Sequence, residues 1–151
     1  FRSKGGKNTT KLKQKDLHNI TQIDGSTFAK DELALLFLIA YYTENDVSII
    51  NVNFEDKSIA NQYKNIKKIL SHLNIKIEDN MQNISILKSK IDIKTQIDCN
   101  GDVKIIMMLA YMALNSKKAI IIKNVENIYN YDKYFFQRFK DFGAKVEIIH
   151  D

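Results

Sequence analysis

Two acids stand at the head of the two most apolar stretches of the chain. Asp31 precedes Leu33–Tyr42, and Asp102 precedes Ile105–Leu114. Apolar runs of that kind read as buried helices, so each acid falls at a helix N-terminus, where backbone N–H groups lack partners. An acid there can cap the helix. Alternatively, helix N-termini that converge form a site for phosphates and carboxylates. Lys104 lies in the first turn of the second helix and would add a cation to such a site. An acid, a lysine and free N–H groups could together hold an anionic group. Capping and ligand binding both remain open on this evidence.

Other chemistry has little support. Gly5-Gly6 is an isolated pair and makes no phosphate loop. His18, His72 and His150 lack the spacing of metal ligands. No nucleophile–histidine pair stands out, and no metal is expected. Cys99 is the only cysteine, which rules out an internal disulfide and fits a reducing compartment such as the cytoplasm or an organelle. The longest apolar runs are too short for a bilayer, which requires about 20 residues.

The net charge is +5 at pH 7, but it is unevenly distributed. Residues 1–15 hold six of the 23 bases and no acid; the other 17 bases face 18 acids, giving −1. The basic character therefore belongs to the N-terminal segment. Without an aromatic-interleaved basic stripe or zinc-finger spacing, nucleic acid is an unlikely partner.

The elements that would position the two acids form a repeat. In the first copy, the buried helix is followed by a β-branched strand, Val47–Val52. Ile59, Tyr63, Ile66, Ile69, Leu70 and Leu73 then recur at helical spacing. Ile75–Glu78 alternates like a strand, Asp79-Asn80 begins a turn, and Ile84–Leu87 is a further strand. In the second copy, Ala119–Ile122 is the strand, and Tyr134, Phe135, Phe139 and Phe142 form a helical face. Gly143 stops that helix, and Ala144–Ile148 alternates as a strand. Asp31 and Asp102 lie 71 residues apart, Asn74 and Gly143 lie 69 apart. Lys11–Ile23 offers a possible first strand, and Asp24–Thr27 a turn. The expected organisation is residues 1–19 as a basic N-terminal segment or preceding strand, and residues 20–151 as one two-repeat α/β domain with inner buried helices.

At these residues the sequence resembles the C-terminal portion of the EPSP synthase family. Asp31 resembles that family's aspartate at a buried helix start. Asn100-Gly101-Asp102-Val103-Lys104 resembles its Asp-His-Arg helix start. Tyr131 and Tyr134-Phe135-Phe136 resemble the aromatics of its closing unit. The resemblance spans roughly residues 20–150. It implies an α/β (α+β) fold of repeated βαβαββ units in an inside-out α/β barrel, with about two units present.

It also implies an enolpyruvyl transferase that converts phosphoenolpyruvate and shikimate 3-phosphate in aromatic amino-acid biosynthesis. Asp31 would then be catalytic, contacting the shikimate hydroxyl and taking part in proton transfer. Asp102 and Lys104 would bind substrate. No organic or metal cofactor is implied. Several family positions depart from the pattern. The Lys-Glu-Ser-Asp-Arg segment falls on Ser58–Gln62, so its glutamate becomes Ile59 and its phosphoenolpyruvate-binding arginine becomes Gln62. The closing lysine falls near Tyr129. Loss of an arginine and a lysine removes about 3–6 kcal/mol of anion binding. The family's reaction occurs between two three-unit barrels, so this chain alone is not expected to be active. The missing domain would lie on the same chain or a partner. The alternatives are a non-catalytic structural or assembly domain, and a relative of the transferase acting on UDP-N-acetylglucosamine.

Overall fold

The computed structural model describes residues 19–28, 32–80, 82–91 and 93–147. The first copy contains β1 (Gln22–Asp24), α1 (Leu33–Tyr42), β2 (Val47–Ile50), α2 (Lys57–His72), β3 (Ile77–Asn80) and β4 (Asn83–Ile86). This is the βαβαββ order. The second copy contains β5 (Thr95–Asp98), α3 (Val103–Ala113), β6 (Ile120–Lys123), α4 (Ile128–Tyr131) and α5 (Phe135–Asp141). No described helix is long and apolar enough to cross a membrane.

The first sheet has the order β1-β2-β4-β3. β1 and β2 run parallel, with Ile23 opposite Ile49. β2 pairs antiparallel with β4, and β4 with β3. The second sheet pairs β5 and β6 in parallel, with Ile97 opposite Ile122. A parallel pair needs a crossover, and α1 and α3 supply it, one in each copy. The two crossover helices pack directly against each other. They bury Leu36, Phe37, Ile106, Met108 and Leu109 at the centre of the core.

The outer helices follow from periodicity and end signals. α2 buries Tyr63, Ile66, Ile69 and Leu70 along one stripe. Asp56 caps it, its Oδ1 accepting from the backbone N–H groups of Ser58 at 2.8 Å and Ile59 at 3.4 Å. Both outer helices close with the same left-handed stop. After α2, Asn74 (φ 58°) donates its N–H to Ser71 O, and Ile75 donates to Leu70 O. After α5, Gly143 (φ 91°) donates to Lys140 O, and Ala144 to Phe139 O. The expected correspondence of Asn74 with Gly143 is therefore a shared hydrogen-bond motif.

A second shared motif lies at the strand ends. Asp24 Oδ1 accepts from Ser26 N and from the Asn51 side-chain amide. Asp98 Oδ1 accepts from Asn100 N at 2.7 Å and from the Asn124 side-chain amide at 2.7 Å. Asn51 and Asn124 follow β2 and β6, at φ 58° and φ 56°. In each copy, the aspartate ending the first strand is tied to a left-handed asparagine ending the second.

Several expected boundaries move. β2 stops at Ile50 rather than Val52, because Asn51 turns into the left-handed region. β3 begins at Ile77 and includes Asp79 and Asn80, which read as turn residues; Ile75 belongs instead to the α2 stop. β6 is shifted by one residue, to Ile120–Lys123, and α4 was not expected. On α5, Phe135 and Phe139 face the core, whereas Phe142 is the C-cap and is 88% exposed. Residues 144–147 form no strand, and Ile148 lies outside the described residues. The same holds for residues 1–18, which include the segment 11–18 of the possible first strand.

Candidate functional site

The start of α3 is built by a tight left-handed turn. β5 ends at Asp98, and Asn100 (φ 48°) and Gly101 (φ 71°) then take successive positive φ values. Glycine is favoured at the second of these for a further reason. A Cβ on Gly101 would stand 2.5 Å from Asn127 Nδ2. That amide donates to Gly101 O at 3.0 Å, tying the turn to the segment before α4. Asp102 follows as the N-cap of α3. Its Oδ1 accepts from Lys104 N at 2.9 Å and Ile105 N at 3.2 Å. The capping role expected for Asp102 is therefore present in its geometry.

An open cleft of about 430 Å³ lies over this helix start. Gly101, Asp102, Val103 and Lys104 form one side; Asn127, Asn130 and Tyr131 form another, and Gln62 comes from α2. The structure thus brings together Asp102, Lys104 and Gln62, from separate copies of the repeat. Gln62 Oε1 is buried and has no hydrogen-bond partner among the described residues. A buried polar oxygen without a partner is costly and commonly marks a place where another group or a water supplies the bond.

Other expected site residues fall elsewhere. Asp31 lies outside the described residues. Ile59 packs against the hydrophobic core and does not line the cleft. Tyr129 stacks edge-on with Phe136, centroids 6.2 Å apart, and does not line it either. Asn127 and Asn130 were not anticipated. Their one signal in the sequence is the spacing of Asn124, Asn127 and Asn130, which by itself names no chemistry.

The electrostatics favour binding over nucleophilic chemistry. Burial, with the neighbouring Asp98 and Asp102 carboxylates, pushes the Cys99 thiol up to about 12. It stays protonated at neutral pH and serves as a small core residue. The Asn100 N–H and the Asn124 amide hold Asp98 below the usual carboxylate range. That fixes a negative charge just behind the turn. Within the cleft lining, Lys104 is the cation and Asp102 the acid. Such a surface can hold a polar, anionic or hydroxylated group.

No protein-family model matches the sequence, and no curated protein matches it. Solved structures do match the fold. One structure of EPSP synthase from Acinetobacter baumannii matches with a TM-score of 0.66 at 17% identity, over 85% of this chain and 32% of that one. A second structure of that enzyme gives 0.67 at 19% identity, over 81% and 29%. The enolpyruvyl transferase NikO from Streptomyces tendae gives 0.61 at 12% identity, over 85% and 29%. The chain spans about a third of the length of these enzymes. The repeated βαβαββ architecture is therefore the inside-out α/β fold of EPSP synthase and related enolpyruvyl transferases.

Proposed function

We propose that residues 20–151 are a divergent domain of an EPSP-synthase-type enolpyruvyl transferase, contributing one wall of an anion-binding cleft. The observation that carries this reading is the meeting of Asp102, Lys104 and Gln62 at the N-terminus of α3. In the complete family enzyme, the enolpyruvyl group of phosphoenolpyruvate passes to a hydroxyl of shikimate 3-phosphate and phosphate leaves. Lys104 would offer its ammonium to an anionic substrate group. Asp102 would position the helix start and its N–H groups. Asp31 would take the proton-transfer role beside the substrate hydroxyl. Phosphoenolpyruvate and shikimate 3-phosphate are the expected ligands, and the rest of the active site would come from further polypeptide. A single free, buried cysteine suits a reducing compartment such as the cytoplasm.

A specific observation favours the second reading, a non-catalytic domain of the same fold. Gln62 occupies the cleft in place of a fixed positive charge, and Ile59 is committed to the core. Loss of one charge-assisted bond costs about 1.5–3 kcal/mol, or on the order of tenfold to a hundredfold in affinity. Isothermal titration of the complete protein with the two ligands separates these readings. Saturable binding that weakens in Lys104→Ala supports the transferase. Absence of binding to the complete protein at millimolar ligand supports the structural role.

A further inference from the structure

The turn that starts α3 carries a reactive pair. Asn100-Gly101 is the only asparagine–glycine step in the chain. An asparagine side-chain amide and the main-chain nitrogen of the next residue can close a five-membered ring, and such an intramolecular attack needs no enzyme. A Cβ on the second residue, a hydrogen bond from its N–H, or burial of the amide each hinder it. None of these applies here. Gly101 has no Cβ. Its N–H makes no hydrogen bond among the described residues. Asn100 is exposed, and only its backbone N–H is engaged, by Asp98.

Two comparable steps in the chain are held. Asp24-Gly25 ends the first strand of the other copy, but the Gly25 N–H donates to Ile50 O at 2.7 Å. Asp24 Oδ1 is itself committed to Ser26 N and the Asn51 amide. Asn115-Ser116 begins with an exposed asparagine, but the Ser116 N–H donates to Ala113 O at 3.1 Å.

We propose that Asn100 is a self-modification site, and that its deamidation unmakes the start of α3. The Gly101 nitrogen loses its proton and attacks Asn100 Cγ. The new C–N bond closes a succinimide, and the side-chain nitrogen leaves as ammonia. Water then opens the ring. Attack at Cγ gives aspartate. Attack at the main-chain carbonyl carbon gives isoaspartate, in which the chain runs through Cβ and Cγ and is one methylene longer. Ring closure turns the main chain out of the left-handed region that Asn100 occupies (φ 48°), so the step proceeds through local opening of the turn. The bonds from Asn100 N to Asp98 Oδ1 and from Asp102 N to Cys99 O oppose that opening.

The isoaspartyl chain does not fit the turn. An added methylene displaces Gly101 O from Asn127 Nδ2, now 3.0 Å away. There is no slack at that point, since a Cβ on Gly101 would already stand 2.5 Å from the same amide. Asp102 follows directly and is drawn away from the Lys104 and Ile105 N–H groups that it caps. The new carboxylate also falls between Asp98 and Asp102 in the chain, which disfavours an anion beside Lys104. Deamidation would therefore close the cleft irreversibly with age. The inference rests on the turn and is independent of which ligand the cleft takes.

The test ages the folded 151-residue chain at mildly alkaline pH. Peptide mass spectrometry reads the replacement of amide by acid at each asparagine, and an isoaspartyl methyltransferase labels the isoaspartate. Asn100 is expected to convert before every other asparagine, releasing ammonia in equal amount. Conversion should quicken as pH rises, since the attacking nitrogen must lose its proton. In the converted chain, hydrogen exchange should show the Lys104 and Ile105 N–H groups losing protection while those of α2 keep it. Asn100→Gly keeps the positive φ and removes the amide, so protection should survive the same incubation. Freshly prepared Asn100→Asp adds the charge to an unaltered backbone and should also keep its protection. Conversion at Asn100 no faster than at Asn115 overturns the proposal, as does conversion that leaves Lys104 and Ile105 protected. Equal loss of protection in fresh Asn100→Asp overturns the role of the lengthened chain.

Discussion

At the residue scale, one carboxylate explains most of the site's order. Asp102 Oδ1 takes two backbone N–H groups at the start of α3. Asp102→Ala is expected to cost about 1 kcal/mol of stability, and Asp102→Asn much less, since asparagine caps nearly as well. Urea denaturation checks this. Equal losses in the two variants would show that the negative charge, rather than the cap, is what matters there. A second cluster contributes to the pH behaviour. Asp79 is held below the usual carboxylate range, first by its hydrogen bond from Lys67 and then by the Tyr63 hydroxyl. Burial, with the Asp79 bond, raises the Tyr63 phenol well above its ordinary value. A depressed carboxylate stabilises the fold above its unfolded value of about 4, and that contribution is lost as pH falls through the folded value. A raised phenol stabilises below its unfolded value of about 10, and that contribution is lost as pH rises. Asp79→Asn should flatten the acid limb of a stability–pH curve below about pH 4 and reduce the alkaline loss above about pH 10. An acid limb that the substitution leaves unchanged would place the titrating group elsewhere.

At the element scale, the fold depends on left-handed asparagines that a pattern of apolar residues does not reveal. Asn124 takes φ 56° directly after β6 and bonds Asp98 across the parallel pair. Asn124→Gly keeps the backbone conformation and loses only the side-chain bond. Asn124→Ala loses the bond and adds left-handed strain of about 1–2 kcal/mol. The alanine variant should therefore be the less stable by roughly that strain, by thermal or urea unfolding. Indistinguishable midpoints would mean that the turn relaxes and the tie is dispensable. The same physics sets what could be read from the sequence. α1 and α3 were legible because an unbroken apolar run admits little else than burial. The stop of α5 was legible because Gly143 tolerates positive φ, and Asn74 was marked only by its correspondence with Gly143. The end of β2 was not legible, since nothing local distinguishes Asn51 as a turn residue from Asn51 as part of the strand. The aspartate–asparagine tie joins residues 24 to 51 and 98 to 124, a separation that no local window spans. Alternation at Ala144–Glu147 misled because a strand also needs a partner edge, and these residues pair with none among the described residues. Of the site, Asp102 and Lys104 could be named from their helix start. Asn127 and Asn130 could not, because only the tertiary tie from Asn127 to Gly101 brings their segment to the cleft.

At the scale of the whole molecule, the charge of +5 is a difference between two unlike parts. Residues 1–15 contribute +6 and the remaining residues −1. A basic segment binds polyanions by releasing counterions, whatever their sequence, and that binding weakens steeply with salt. In the proposed reading the cleft at α3 is a second source of anion affinity, through the Lys104 ammonium. The two sources separate by deletion. Removing residues 1–15 should abolish retention on heparin at low salt, because the remainder is net negative at pH 7. The intact chain should show a salt slope in log K of no more than about 5, from six basic side chains at about 0.9 each. Lys104→Ala should leave that slope nearly unchanged, since one partly buried lysine in a 430 Å³ cleft meets a small anion and not a polymer. Retention that survives the deletion and falls with Lys104→Ala would reverse the assignment and make the cleft the polyanion site. Loss with the deletion alone would assign polyanion binding to residues 1–15 and leave the cleft out of it.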